Sequence, residues 1–164
     1  MPPAPIVDPD QIDTSRVLYG RQAIEDFNPQ RFEMELLDAV VRLDEAEHLI
    51  IGYSDIHDDA FWVRGHMPHF PLLPGVLICE LAAQACAFYC KHIKLLSEGF
   101  VGFGGMEDVR FRGPVKPGDR LVVVCKGMRM HRRQSIFDTQ GFVGNNMVYH
   151  GKIIGVPLNP DITP

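Results

Sequence analysis

No C-x-x-C pair occurs among the four cysteines of this 164-residue chain, Cys79, Cys86, Cys90 and Cys125. Three of them lie in one apolar stretch, where a cysteine serves as a small hydrophobe. Free thiols of this kind fit a reducing compartment. Positive charge is also short: 16 Lys and Arg stand against 21 Asp and Glu, a net charge of -5. That balance argues against general nucleic-acid binding, which depends on clustered cations neutralising phosphates, and favours a soluble cytoplasmic protein. The amino terminus has neither a basic start nor an apolar run, so it does not read as a signal peptide. From Leu72 to Tyr89 the chain nears the length of a membrane span, but Pro74, Glu80 and Gln84 interrupt it, and no span is expected. Gly127, Gly141 and Gly144 lack phosphate-loop spacing, and there are no internal repeats.

What is present suits one domain with a single core, since 46% of the residues are hydrophobic. Residues 1–14, dense in proline and aspartate, read as a disordered or loosely attached tail, and residues 15–164 as the domain. A short helix is expected between Tyr19 and Phe27, ended by Asn28 and Pro29. Two strands then follow between Phe32 and Ile56, with a turn near Asp44 to Glu47. After the long apolar segment, the glycines between Gly99 and Gly105 break the pattern. Strands are expected over Arg120 to Lys126, Ser135 to Val143 and Met147 to Val156. Pro117 and Gly118 take the centre of a type II turn, Arg129 to Arg133 form a polar connection, and Asn145 and Asn146 a tight hairpin turn. The sum is an α+β domain in which an antiparallel sheet of about five or six strands wraps one central buried helix. One sheet cannot cover every side of so apolar a helix, which suggests a homodimer.

The stretch from Gly65 to Lys91 carries the chemistry. Gly65, Pro68, Pro71 and Pro74 stiffen a loop that enters the helix at Pro74-Gly75, where proline loses no helical hydrogen bond. Beyond it only Glu80 and Gln84 interrupt the apolar surface, four residues apart on one face. A carboxylate there is costly unless paired or employed. His66, 14 residues earlier, exchanges protons near neutral pH. Together they offer the base and acid that two proton transfers need.

His66-Met-Pro-His-Phe-Pro-Leu-Leu-Pro-Gly75-Val76-Leu-Ile-Cys-Glu80 resembles the active-site signature of the (3R)-hydroxyacyl-acyl carrier protein dehydratases of fatty-acid synthesis, which have the hot-dog fold. Gly105-Met-Glu-Asp-Val-Arg110-Phe-Arg112-Gly-Pro-Val-Lys-Pro-Gly118-Asp119 resembles the same family's segment after the helix. A fainter echo runs from Pro29 to Asp38, and the likeness spans residues 29 to about 156. Glutamate at position 80 points to the general dehydratase branch. Met67, His69, Glu33 and Ala39 depart from the pattern, and Met67 and His69 bear on pocket shape.

The resemblance implies that His66 takes the C2 proton of a hydroxyacyl thioester and Glu80 protonates the departing hydroxyl. Gly75 would give its backbone N–H to the thioester carbonyl, a role that a helix start also favours on physical grounds. Val76, Gln84 and Phe103 would complete the substrate site, with Gln84 placed to orient Glu80. The partner implied is an acyl carrier protein bearing a phosphopantetheine-linked chain. The assembly implied is a homodimer with shared active sites, or a trimer of such dimers. No cofactor and no metal are expected.

Other readings of the same residues stand beside these. Glu80 could pair with Arg64 or Lys91. His66-x-x-His69 with Glu80 could imitate a metal site, although zinc sites commonly hold their histidines on one helix face. The same fold could host a thioester hydrolase, or an idle acyl-binding subunit. Arg110, Arg112, Lys116 and Arg120, with Arg129, Arg132 and Arg133, are basic on an acidic chain, as the docking face of an acidic carrier would be. Asp55, His57, Asp58 and Asp59 read as a solvated turn.

Overall fold

The computed structural model describes residues 1–159; the last five positions of the expected domain lie outside the described residues. Seven strands form one antiparallel sheet, ordered β1-β2-β3-β5-β6-β7-β4. They are β1 (Tyr19–Gly20), β2 (Ala39–Asp44), β3 (Leu49–Asp55), β4 (Phe100–Phe111), β5 (Arg120–His131), β6 (Gln134–Val143) and β7 (Asn146–Leu158). A five-residue helix, α1 (Arg21–Glu25), precedes β2, and the long helix, α2 (Gly75–His92), lies against the sheet. This is the hot-dog arrangement expected, with more strands than the five or six counted from sequence. Two-residue β1 is too short to show any periodicity. Strand β4 runs through the glycines that read as a break.

Those glycines suit the strand because β4 lies tightly on β7: a Cβ at Gly104 would meet Val156 Cγ1 at 2.6 Å. The ladder slips at that point, between Phe103 and Gly105, and again between Glu107 and Arg110, so β4 carries two bulges. Strand β5 absorbs most of the expected polar connection and reaches His131, leaving Arg132 and Arg133 as the turn into β6. The turn at Pro117-Gly118 closes with Asp119 N–H donating to Lys116 O at 3.0 Å.

Helix α2 is buried almost all round. Phe88, Tyr89, Cys90, Ala82 and Ala85 are fully enclosed against Val123, Cys125, Phe137 and Tyr149 of the inner sheet face. Each large apolar side chain enclosed this way contributes roughly 1.5–3 kcal/mol. The outer sheet face holds a second apolar cluster, including Val41, Ile51, Val124 and Phe142, and Ile6, Val7 and Ile12 pack on it. Residues 1–14, expected as a loose tail, therefore lie along the sheet. Ile6 N–H donates to Gln140 Oε1 at 2.8 Å, and Gln140 Nε2 donates to Ala4 O at 2.9 Å. Proline and aspartate density hid three apolar side chains that have an apolar face to meet.

Candidate active site

The loop before α2 folds back on His66. Its backbone N–H donates to Trp62 O at 2.8 Å, its carbonyl accepts from Leu72 N–H at 3.0 Å, and Leu73 N–H donates to Val115 O at 2.8 Å. The imidazole is half-buried, with Nδ1 at 2.8 Å from Leu72 O. A carbonyl oxygen only accepts, so Nδ1 carries the hydrogen and, in the neutral ring, Nε2 keeps its lone pair. The loop thereby presents a base.

Pro74 caps α2, and Gly75 and Val76 occupy its first turn. Amides at these positions have no carbonyl of their own helix to donate to, and the positive end of the helix dipole converges there. Gly75 packs closely under Phe111: a Cβ would meet its ring at 2.8 Å, so the ring would have to move for any other residue. Val76 is 63% exposed. Phe111 stacks on buried Tyr149. It is a member of the site that no spacing along the chain could reveal, because β4 brings it to the helix start.

Glu80 is half-buried, and its Oε1 accepts from Gln84 Nε2 at 2.9 Å. Neither Arg64 nor Lys91 pairs with it; Lys91 Nζ donates to Gly99 O. Gln84 is 2% exposed. Its Nε2 also donates to Met34 O at 2.8 Å, and its Oε1 accepts from the N–H groups of Leu36 and Leu37 at 3.0 and 3.3 Å. Both amide hydrogens and both lone pairs are in use. Gln84, expected in the substrate site and beside Glu80, is enclosed and hydrogen-bonded to Glu80. A cleft of about 40 Å³ beside Glu80 is lined by Ala83, Ala87, Val101 and Phe103, and Phe103 is 44% exposed.

Within one chain the structure joins Glu80 to Gln84 and to the Phe103 cleft, and Gly75 to Phe111. His66 does not line the Glu80 cleft, and among the described residues no hydrogen bond joins the two groups. No group of three His, Cys, Asp or Glu among the described residues is placed to hold a metal ion, His66 and His69 included. Burial pushes the thiols of Cys79 and Cys86 up, and that of Cys90 up to about 11, so they are poor nucleophiles.

The basic residues do not form one patch. Arg120 donates through Nε and Nη2 to the two carboxylate oxygens of Asp55, at 2.7 and 2.9 Å. Arg132 and Arg133 sit at the β5–β6 turn, whereas Arg110 pairs with His150, which faces Gln140 on β6. The two groups are thus roughly 20 Å apart along the sheet. Arg110, Arg112 and Lys116 remain on the Phe111 side, with no ion pair among the described residues. Arg112 Nε donates to His150 Nδ1 at 3.0 Å. Burial, with Arg112 and Arg110 nearby, lowers the His150 pKa and keeps the ring a neutral acceptor. No helix among the described residues is long and apolar enough to cross a membrane.

The sequence model of the FabA-like domain matches residues 28–152. The 3-hydroxyacyl-[acyl-carrier-protein] dehydratase FabZ of Teredinibacter turnerae is 34% identical over 134 residues, covering 80% of this chain and 91% of that protein. The bifunctional enzyme LpxC/FabZ of Chlorobaculum tepidum is 32% identical over 145 residues, covering 87% of this chain, which spans only 30% of that longer protein. Among solved structures, the dehydratase heterocomplex ApeI:P from Xenorhabdus doucetiae superposes with a TM-score of 0.71 at 16% identity, over 84% of this chain and 91% of that one.

Proposed function

The chain belongs to the FabA-like family, and from that premise we propose that it is a hydro-lyase of the FabZ type. The reaction is removal of water from a (3R)-3-hydroxyacyl thioester to give the trans-2-enoyl thioester, in fatty-acid or related lipid synthesis. The observation that carries the roles is the pair of hydrogen bonds fixing the two proton-transfer groups. Leu72 O holds His66 Nδ1–H, so Nε2 is the atom that takes the C2 proton. Gln84 holds Oε1 of Glu80, which leaves Oε2 to carry the proton delivered to the leaving hydroxyl. The C2–H and C3–O bonds break, the double bond forms, and water departs. A proton passing from the imidazolium to the carboxylate restores both groups. The Gly75 amide, at the positive end of α2, receives the charge that develops on the thioester oxygen.

Completion of the site requires a second copy. Strand β4 is one edge of the sheet, twelve residues long where β1 at the other edge has two, and carries exposed Phe103, Met106 and Phe111, the kind of edge a partner covers. In the resulting homodimer His66 of one chain meets Glu80 of the other. The substrate arrives on an acidic acyl carrier protein, for which Arg110, Arg112 and Lys116, on the side of the site marked by Phe111, form the docking face. A cytoplasmic location belongs to this reading, where four free thiols stay reduced.

The test is incubation with carrier-linked 3-hydroxyacyl substrates of graded chain length, followed by mass analysis. Loss of one water with the thioester intact is the expected product. Release of free thiol would replace dehydration with hydrolysis, and recovery of unchanged substrate at every length would refute both.

A further inference from the structure

The largest cavity described, about 350 Å³, shares none of its lining with His66, Gly75, Glu80 or Phe103. It lies on another side of α2, with Leu73, Leu77, Leu81 and Trp62 among its apolar lining. That volume is within the range of small-molecule sites. Two aromatic rings in its lining are left in solvent: Phe32 is 84% and Phe61 54% exposed. Phe32 holds φ at 58°, a conformation that bulky residues seldom adopt. Its N–H is tied to Glu35 Oε1 at 3.2 Å.

The polar part of the lining is almost all of one sign. Five carboxylates, Glu33, Glu35, Asp38, Asp55 and Asp59, stand there with one arginine, Arg21, and with the imidazole of His57 and the hydroxyl of Ser54. Arg21 serves both Glu35 and Asp38, and Asp55 is held by Arg120. Glu33 and Asp59 have neither an ion pair nor a side-chain hydrogen bond among the described residues. An apolar floor, exposed ring faces and uncompensated carboxylates are together complementary to one kind of ligand. Ring faces attract cations, and the carboxylates repel anions such as fatty-acid carboxylates. We propose that this cavity is a second ligand site, separate from the dehydratase centre, that takes a small organic cation with an apolar body, such as an aryl or alkyl ammonium.

Trp62 is the only tryptophan of the chain and lines the cavity at 7% exposure, so its fluorescence reports on this site. The full-length protein is titrated with benzyltrimethylammonium, with 2-phenylethanol as a neutral aromatic and with octanoate as an apolar anion, and each titration is repeated by calorimetry. A saturable change is expected for the ammonium, at least tenfold tighter than for the alcohol, with no binding of octanoate. The Glu33→Gln/Asp59→Asn double variant should weaken ammonium binding about tenfold and leave the alcohol unchanged. Octanoate binding as tightly as the ammonium would make the cavity an acyl pocket and overturn the proposal. So would the absence of saturable heat and fluorescence change with the ammonium, or a double variant that binds it as wild type does. Dehydration is assayed without the ammonium probe, so failure of this site and failure of the dehydratase reading are read separately.

Discussion

The loop of His66 and the helix turn of Glu80 carry the two groups proposed for proton transfer, yet they are held by different means. Glu80 projects from a helix whose interior is closed, and Gln84 locks it to Met34, Leu36 and Leu37 through hydrogen bonds that leave no amide capacity over. His66 sits in a loop that closes on itself through Leu72, and its neighbours Met67 and Phe70 are exposed. Glu80 is held entirely by groups of its own chain. His66 is oriented within one chain and has exposed apolar neighbours in Met67 and Phe70, the kind of surface that a second copy covers in the proposed homodimer.

Removing either group tests the functional equivalence of these unlike settings and has the largest expected effect. His66→Ala and Glu80→Gln should each lower turnover by about 100-fold or more, because each removes one proton transfer. Thermal melts should show the fold retained in both. Near-wild-type turnover in either variant would dissociate that residue from the chemistry.

Mixing the two inactive variants asks whether the base and acid come from different chains. After subunit exchange, about half the dimers are hybrids with one doubly damaged and one intact site, so activity should climb to about a quarter of wild type. Tagged chains verify the exchange. If exchange occurs and no activity returns, the pair resides within a single chain.

Gln84→Leu sharpens the contrast from the acid's side. It leaves the N–H groups of Leu36 and Leu37 and the carbonyl of Met34 without their partner, at a cost of about 1–3 kcal/mol for each group left buried. Loss of the bond that fixes Glu80 should reduce kcat about tenfold with KM little changed, and shift the alkaline limb of the pH–rate profile, on which a general acid must keep its proton. A stability loss with an unaltered pH profile would reduce Gln84 to a packing role.

The smallest effect concerns the entry to the base's loop, where Arg120 grips Asp55 at the end of β3. The Arg120 hydrogen bonds lower the Asp55 pKa. This contribution to stability is complete above the ordinary carboxylate value and is lost as pH falls through the lower folded value. Urea midpoints should therefore drop in that acidic window for the native chain. Asp55→Asn should flatten that part of the profile, and an identical pH dependence in the variant would show that the clamp contributes nothing. Because both side chains are well exposed, the change at neutral pH is small.

The local features were legible along the chain because they depend on near neighbours. The Pro74-Gly75 entrance, the i,i+4 pair of Glu80 and Gln84 and the turn at Pro117-Gly118 each follow from backbone geometry over a few residues. The long apolar stretch, interrupted only at Glu80 and Gln84, likewise required a buried α2. Contacts between distant segments were decided only by the folded chain. Phe111 meets Gly75 through the course of β4, and Leu36 and Leu37 meet Gln84 across the start of β2. Residues 4–12 find the outer sheet face through Gln140, and the basic residues divide between opposite ends of the sheet. Periodicity records which side of an element is apolar, and register and strand order decide what that side touches. His66 shows both at once: its residue type and motif marked it as a base, and the carbonyl of Leu72 decided which nitrogen is free to act.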